Sequence, residues 1–290
     1  MAGPQDITSV NHVGMAVASI EAVAAQYEAF GFQLTPFSAH SGAWKPGEAV
    51  TRLGAGNRCV MFRHNYLEIL ASEDPARPAE RIERFLARHQ GAHIICFGTD
   101  DTQAVDARLV AAGVKTSGVI PLQRDVDTPD GVRTAKFERV QFAPDASPEG
   151  YIQAARHLTP EYIHQARYLE HPNGATELSE VLLVVDDADA FERKYAAYTG
   201  RAAERIGVKR VFRFPLVSAV SIVARDDASA VIPGSQTPPV PCIAGVVFKV
   251  PSIAAQAERL SQARLRFANQ PQRLVVPAEE ALGVAVIFER

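Results

Sequence analysis

Ser9-Val10-Asn11-His12-Val13-Gly14-Met15-Ala16-Val17 decides the fold, together with Gly91-Ala92-His93-Ile94-Ile95-Cys96-Phe97-Gly98. Both are short apolar runs with one histidine near the start, and both read as strands. Each runs on into an amphipathic helix. The first helix covers 20–30, with Ala22, Val23, Tyr27 and Phe30 on one stripe, and Gly31 ends it. The second covers 101–112, with Ala104, Val105, Leu109 and Ala112 in register, and stops at Gly113. Three further strands follow each helix: 32–37, 58–63 and 66–71, then 114–122, 132–143 and 150–157. The unit is βαβββ.

The unit recurs. A third copy opens on Leu178-Ser179-Glu180-Val181-Leu182-Leu183-Val184-Val185, has a helix carrying Phe191, Tyr195 and Tyr198, and closes near 220–224. A fourth opens on Cys242-Ile243-Ala244-Gly245-Val246-Val247-Phe248, with a helix over 252–263 and a last strand over 283–289. One such unit cannot cover its own sheet, so units must pair. The predicted fold is α+β, with four βαβββ units paired into two half-barrel domains. Residues 1–158 form the N-terminal pair and are expected to bear the site. Residues 159–176, with Pro160, Pro172 and Gly174, form a connector. Residues 177–290 form the C-terminal pair, expected to lack a metal site, because Glu180 and Gly245 stand where the first unit has His12.

Composition excludes several classes. The net charge is −3 with no basic block, which speaks against nucleic acid as a partner. No apolar run approaches the ~20 residues that span a bilayer, so no membrane is expected. The first residues have neither a charged nor an apolar signal region, and the three cysteines, Cys59, Cys96 and Cys242, are odd in number and widely spaced. Both features fit a cytoplasmic protein with reduced thiols and no thiolate zinc site. Four units can satisfy one another within one chain, so a monomer and a homodimer are both compatible with the sequence.

Four βαβββ units with openings such as NHVGMAV and AHIICF resemble the vicinal oxygen chelate superfamily. That group includes glyoxalase I, methylmalonyl-CoA epimerase, extradiol dioxygenases and the metal-free bleomycin-resistance proteins. Gly54–Phe62 followed by Tyr66-Leu67-Glu68-Ile69-Leu70 is similar to glyoxalase-like domain proteins, as is His157-Leu158-Thr159-Pro160-Glu161 followed by His171-Pro172-Asn173-Gly174. The resemblance identifies a family better than a reaction, because one fold hosts several chemistries.

A carboxylate inside the apolar run around Glu68 is costly to bury unless it meets a cation or donors. Each N-terminal unit offers a first-strand histidine and a last-strand polar residue: His12 with Glu68, and His93 with Gln153. Two facing units would bring these four to one point. His12, Glu68, His93 and Gln153 are therefore the expected metal ligands, with a divalent Zn, Fe, Mn, Ni or Co ion as cofactor. His157 shares a strand face with Gln153, so either residue can complete the set. Glu68 and His157 are the candidate catalytic residues. The resemblance implies an enzyme acting on a small oxygenated substrate through metal-stabilised enolate or enediolate chemistry, as an isomerase, epimerase or lyase. An extradiol-type Fe(II) dioxygenase and a metal-free small-molecule binding or resistance protein are the alternatives.

Gly54-Ala55-Gly56 precedes a strand and reads as a turn, not a dinucleotide loop. His40, Trp44 and Lys45 lie in a loop over 38–47 suited to substrate contacts. His64, Arg58, Arg124, Arg133 and Arg156 are the candidates for an anionic substrate group, set against their more ordinary role as solvated surface charges.

Overall fold

The computed structural model describes residues 6–42, 51–74, 76, 79–216 and 218–290; Trp44 and Lys45 lie outside them. Unit one consists of β1 (Ser9–Ala16), α1 (Ile20–Ala29), β2 (Ser38–Gly42), β3 (Thr51–Met61) and β4 (Tyr66–Ser72). The short helix α2 (Glu80–Leu86) leads to unit two: β5 (Gly91–Gly98), α3 (Thr102–Ala111), β6 (Ile120–Thr128), β7 (Gly131–Gln141) and β8 (Tyr151–His157). The connector holds α4 (Pro160–Ile163) and a 3-10 turn. Unit three is β9 (Glu177–Val185), α5 (Ala188–Thr199), β10 (Glu204–Ile206), β11 (Lys209–Phe214) and β12 (Ser218–Ala224). After α6 (Ala228–Val231), unit four is β13 (Cys242–Lys249), α7 (Ile253–Gln262), β14 (Ala268–Gln270), β15 (Arg273–Val276) and β16 (Ala285–Glu289).

The four long helices start in the same way. Ser19, Asp101, Asp187 and Ser252 each follow a strand and accept a hydrogen bond from the backbone N–H three residues on. Each cap satisfies an otherwise orphan donor and is worth about 1 kcal/mol. Three helices end on a left-handed glycine: Gly31, Gly113 and Gly200. At the end of α7 that conformation falls to Arg264, with φ 59°.

Two eight-stranded sheets result, ordered β2-β3-β4-β1-β5-β8-β7-β6 and β10-β11-β12-β9-β13-β16-β15-β14. Each is two units joined through their antiparallel first strands, and this is the paired half-barrel architecture read from the repeat. Residues such as Val13, Met15, Ile95 and Phe97 on one face pack with Leu183, Val246 and Phe288 of the other sheet, so both sheets share one apolar core. Gly91 and Gly283 meet so closely there that no Cβ fits on either.

Four local expectations need correction. Residues 38–42, expected in a loop, form β2, and the strand expected over 114–122 is β6, Ile120–Thr128. Residues 32–37 do not form a strand. Phe32 instead stacks on Phe288 and packs at a tilt against Phe248 of the other half, which holds the segment off the ladder. Gly54-Ala55-Gly56 is part of β3, not a turn. Gly56 lacks a side chain because Phe37 and the Ser38 carbonyl fill its Cβ position.

Candidate metal and substrate site

The site follows from strand register. β1 and β5 pair in antiparallel fashion with two slips: Asn11 is skipped between Val10 and His12, and His93 is skipped between Ile94 and Ala92. β9 and β13 slip in the same way at Ser179 and Ala244. Asn11, His93, Ser179 and Ala244 are therefore equivalent, and the slot of His12 is filled by Ile94, Glu180 and Gly245 in the other units. The closing strands agree with this register. Glu68 lies opposite Gly14, Gln153 opposite Cys96, Ser221 opposite Leu182 and Ile287 opposite Val247.

The slip gives His93 the position of Asn11 in the repeat, not that of His12. This corrects the expectation for His93. It does not line the cleft. It is wholly buried, its ring stacked on Phe85 at 4.8 Å and packed on His89 at 4.1 Å, with Nε2 2.8 Å from the His89 carbonyl. Ile94 takes its place on the cleft wall.

His12, Glu68, Gln153 and His157 do share one cleft. His12 Nδ1 lies 2.8 Å from Asn11 Oδ1, which puts the ring proton on Nδ1 and leaves the Nε2 lone pair free. Nε2 stands 3.8 Å from Glu68 Oε2. On the other side of the carboxylate, His40 Nε2 stands 3.8 Å from Oε1 and is buried without a hydrogen-bond partner. His40 reaches this point because β2 slips against β3 between Ala39 and Ser41. The direct donor to Glu68 is Asn57, whose Nδ2 is 2.6 Å from Oε1.

Burial holds His12 down to about 3, reinforced by the positive charges of Arg124 and Arg81. Burial also lowers His40 to about 4, against the opposing pull of Glu68. Both imidazoles are neutral at physiological pH. At His12 the Nε2 lone pair faces a carboxylate oxygen at 3.8 Å, two acceptors with no proton between them and too far apart for a hydrogen bond. A cation or a donor group resolves that arrangement, so the donor set fits a divalent ion in its chemistry. Among the described residues, no three His, Cys, Asp or Glu side chains are drawn together at ligand spacing.

Tyr66 stacks on His12 at 4.6 Å. His157 packs edge-on to Phe137 at 5.0 Å and 5.7 Å from the ring of His164, whose Nδ1 bonds to the Phe62 carbonyl. Burial lowers His157 to about 3. Of the five expected anion-binding residues only Arg124 lines this cleft, joined by Arg81 and Arg139. Asn57, Arg81 and His164 join the site without having been marked for it, and His40, expected among the substrate contacts, stands beside Glu68. Asn57 was the findable one, because it alternates with Cys59 on the strand beside Glu68.

The equivalent cup of the second sheet is filled. Lys209 Nζ holds both Glu180 oxygens at 2.7 and 2.8 Å, and Leu182, Val247, Ile287 and Ile232 pack into one apolar cluster.

A family model described as "Glyoxalase-like domain" matches residues 10–199. The chain belongs to the glyoxalase-like domain family. No curated protein sequence matches it. Among solved structures it is similar to a hypothetical protein from Staphylococcus aureus, with TM-score 0.63 and 13% identity over 98% of this chain and 99% of that one. A variant of 4-hydroxymandelate synthase from Streptomyces coelicolor gives TM-score 0.60 at 13% identity, covering 98% and 93%. A xylose isomerase-like TIM barrel/4-hydroxyphenylpyruvate dioxygenase fusion protein gives 0.54 at 14%, covering all of this chain and 49% of that one. At such identities the likeness shows the fold, which agrees with the family. No described helix is long and apolar enough to cross a membrane.

Proposed function

We propose that this member of the glyoxalase-like domain family is a metal-dependent enzyme whose site is the N-terminal cleft. His12, Glu68 and His40 hold a divalent ion, with Gln153 on the opposite wall, and the C-terminal pair has no metal site. The observation that carries this is the Glu68 carboxylate set between two neutral imidazoles, each with its Nε2 3.8 Å from one carboxylate oxygen. Asn11 fixes the tautomer of His12, the kind of support that metal-binding histidines need. An ion so held supplies Lewis acidity that makes a C–H beside a carbonyl easier to deprotonate. Leu53, Leu70 and Ile94 keep water from the substrate's body. His157, neutral and on the same wall, accepts the proton.

The test is solvent exchange. With metal-loaded protein in D2O, small α-hydroxyketones and α-keto acids should gain deuterium at the carbon beside the carbonyl, and Glu68→Gln should abolish the gain. No exchange with any of them would remove the enolate reading. Two imidazoles and one carboxylate also suit Fe(II) and O2, which favours a dioxygenase as second reading. Substrate-dependent oxygen uptake with Fe(II) would select it.

A further inference from the structure

Three arginines reach the cleft from three different elements: Arg81 on α2, Arg124 on β6 and Arg139 on β7. Among the described residues none of them forms an ion pair. Arg81 lies over the Tyr151 ring at 4.5 Å, and its Nε is buried without a partner. The Arg124 side chain makes no hydrogen bond to a described residue, and its guanidinium sits 5.8 Å from the centre of the Phe137 ring. Arg139 donates to the Tyr151 hydroxyl. The carboxylates on the same walls are Glu68 and Glu138, and both have other donors, Asn57 and Thr102. Three guanidinium charges against two carboxylates leave one positive charge in excess.

All three arginines are half-buried rather than exposed, and cationic groups drawn partly out of water without counter-charge are costly, so a wall that keeps them has a use for an anion. Guanidinium is also the side chain best matched to a planar carboxylate, through paired N–H donors. The charges act on the same space as the Glu68 group, because Arg81, Arg124 and Arg139 line one cleft with His12, His40 and Glu68. Leu53, Leu122 and Ile94 supply an apolar remainder to the lining.

We infer that Arg81, Arg124 and Arg139 form an anion subsite, and that the cleft takes a small monocarboxylate with an apolar body. This rests on the cleft being the functional site but not on the metal.

The test uses the full chain in chelator, titrated calorimetrically with benzoate and hexanoate and with their neutral counterparts benzamide and hexanamide. At least one acid should bind at least tenfold more tightly than its amide. Arg124→Gln and Arg81→Gln should each weaken that acid tenfold or more, with Arg124→Lys losing less than Arg124→Gln. Glu68→Gln, which removes a like charge, should bind it as tightly or more tightly. Unchanged melting temperatures in the arginine variants separate lost contact from lost fold. Equal affinity for acid and amide, no binding of either acid, or full affinity in both glutamine variants would overturn the inference. Acid binding retained in a protein that takes up no metal would defeat the metal reading and leave this one standing.

Discussion

Asn11 and His93 occupy the same position of the repeat: each is the one residue skipped where β1 and β5 slip against each other. The equivalence gives the two residues different work. Asn11 keeps its side chain beside the cleft and orients His12, whereas His93 is packed among Phe85 and His89.

Asn11→Ala should therefore act through its neighbour. Without the Nδ1 hydrogen bond, His12 is free to place its proton on either nitrogen. Losses of about 10–100-fold in metal affinity accompany removal of such supporting groups. Competition with a coloured chelator measures this. Unchanged affinity would mean the tautomer is set by something else.

His93→Ala should do the reverse. It empties a fully buried site stacked between two rings. The expected cost is about 2–4 kcal/mol in denaturant unfolding, with metal binding per folded molecule unchanged. A stable variant that has lost its metal would restore His93 to the ligand set.

Stability should fall with acid. His12 and His157 are depressed to about 3 and His40 and His93 to about 4 by burial, from an ordinary 6.5. Between those values and 6.5 the unfolded chain binds more protons than the folded one. The stabilisation is thus complete above 6.5 and is lost as pH falls toward 3–4, by up to about 1.4 kcal/mol per pH unit for each histidine. Urea unfolding in chelator across pH 4–8 measures it, and a flat profile would contradict neutral burial.

Arg264→Gly should stabilise. The residue is exposed and left-handed at the end of α7, where α1, α3 and α5 end on glycine. Relief of that conformation is worth about 0.5–1 kcal/mol. Thermal unfolding gives the sign, and a lower melting temperature would show that the Arg264 side chain makes up for the strain.

The fold was legible because every unit repeats the same punctuation, an apolar strand, a Ser or Asp cap and a closing turn. The relation between the two histidines was less legible. His12 and His93 look equivalent in NHVGMAV and AHIICF, but a bulge moves one residue without leaving a mark in composition, and the true partner of His12 is Ile94. Glu68 and Gln153 do match each other, because the parallel pairings Gly14–Glu68 and Cys96–Gln153 contain no slip there. Arg81, and the place of His40 beside Glu68, were hidden for another reason. Each sits on a short element, β2 or α2, whose place over the cleft depends on how the sheet curls, and local pattern does not encode that.

The most direct test is the metal content of the purified full chain, measured by mass spectrometry after equilibration with each of the five candidate ions. The account predicts close to one ion per chain, lost in His12→Ala and Glu68→Gln, reduced in His40→Ala and kept in His93→Ala. A chain that takes up none of these ions, or a Glu68→Gln variant that keeps full occupancy, would contradict it.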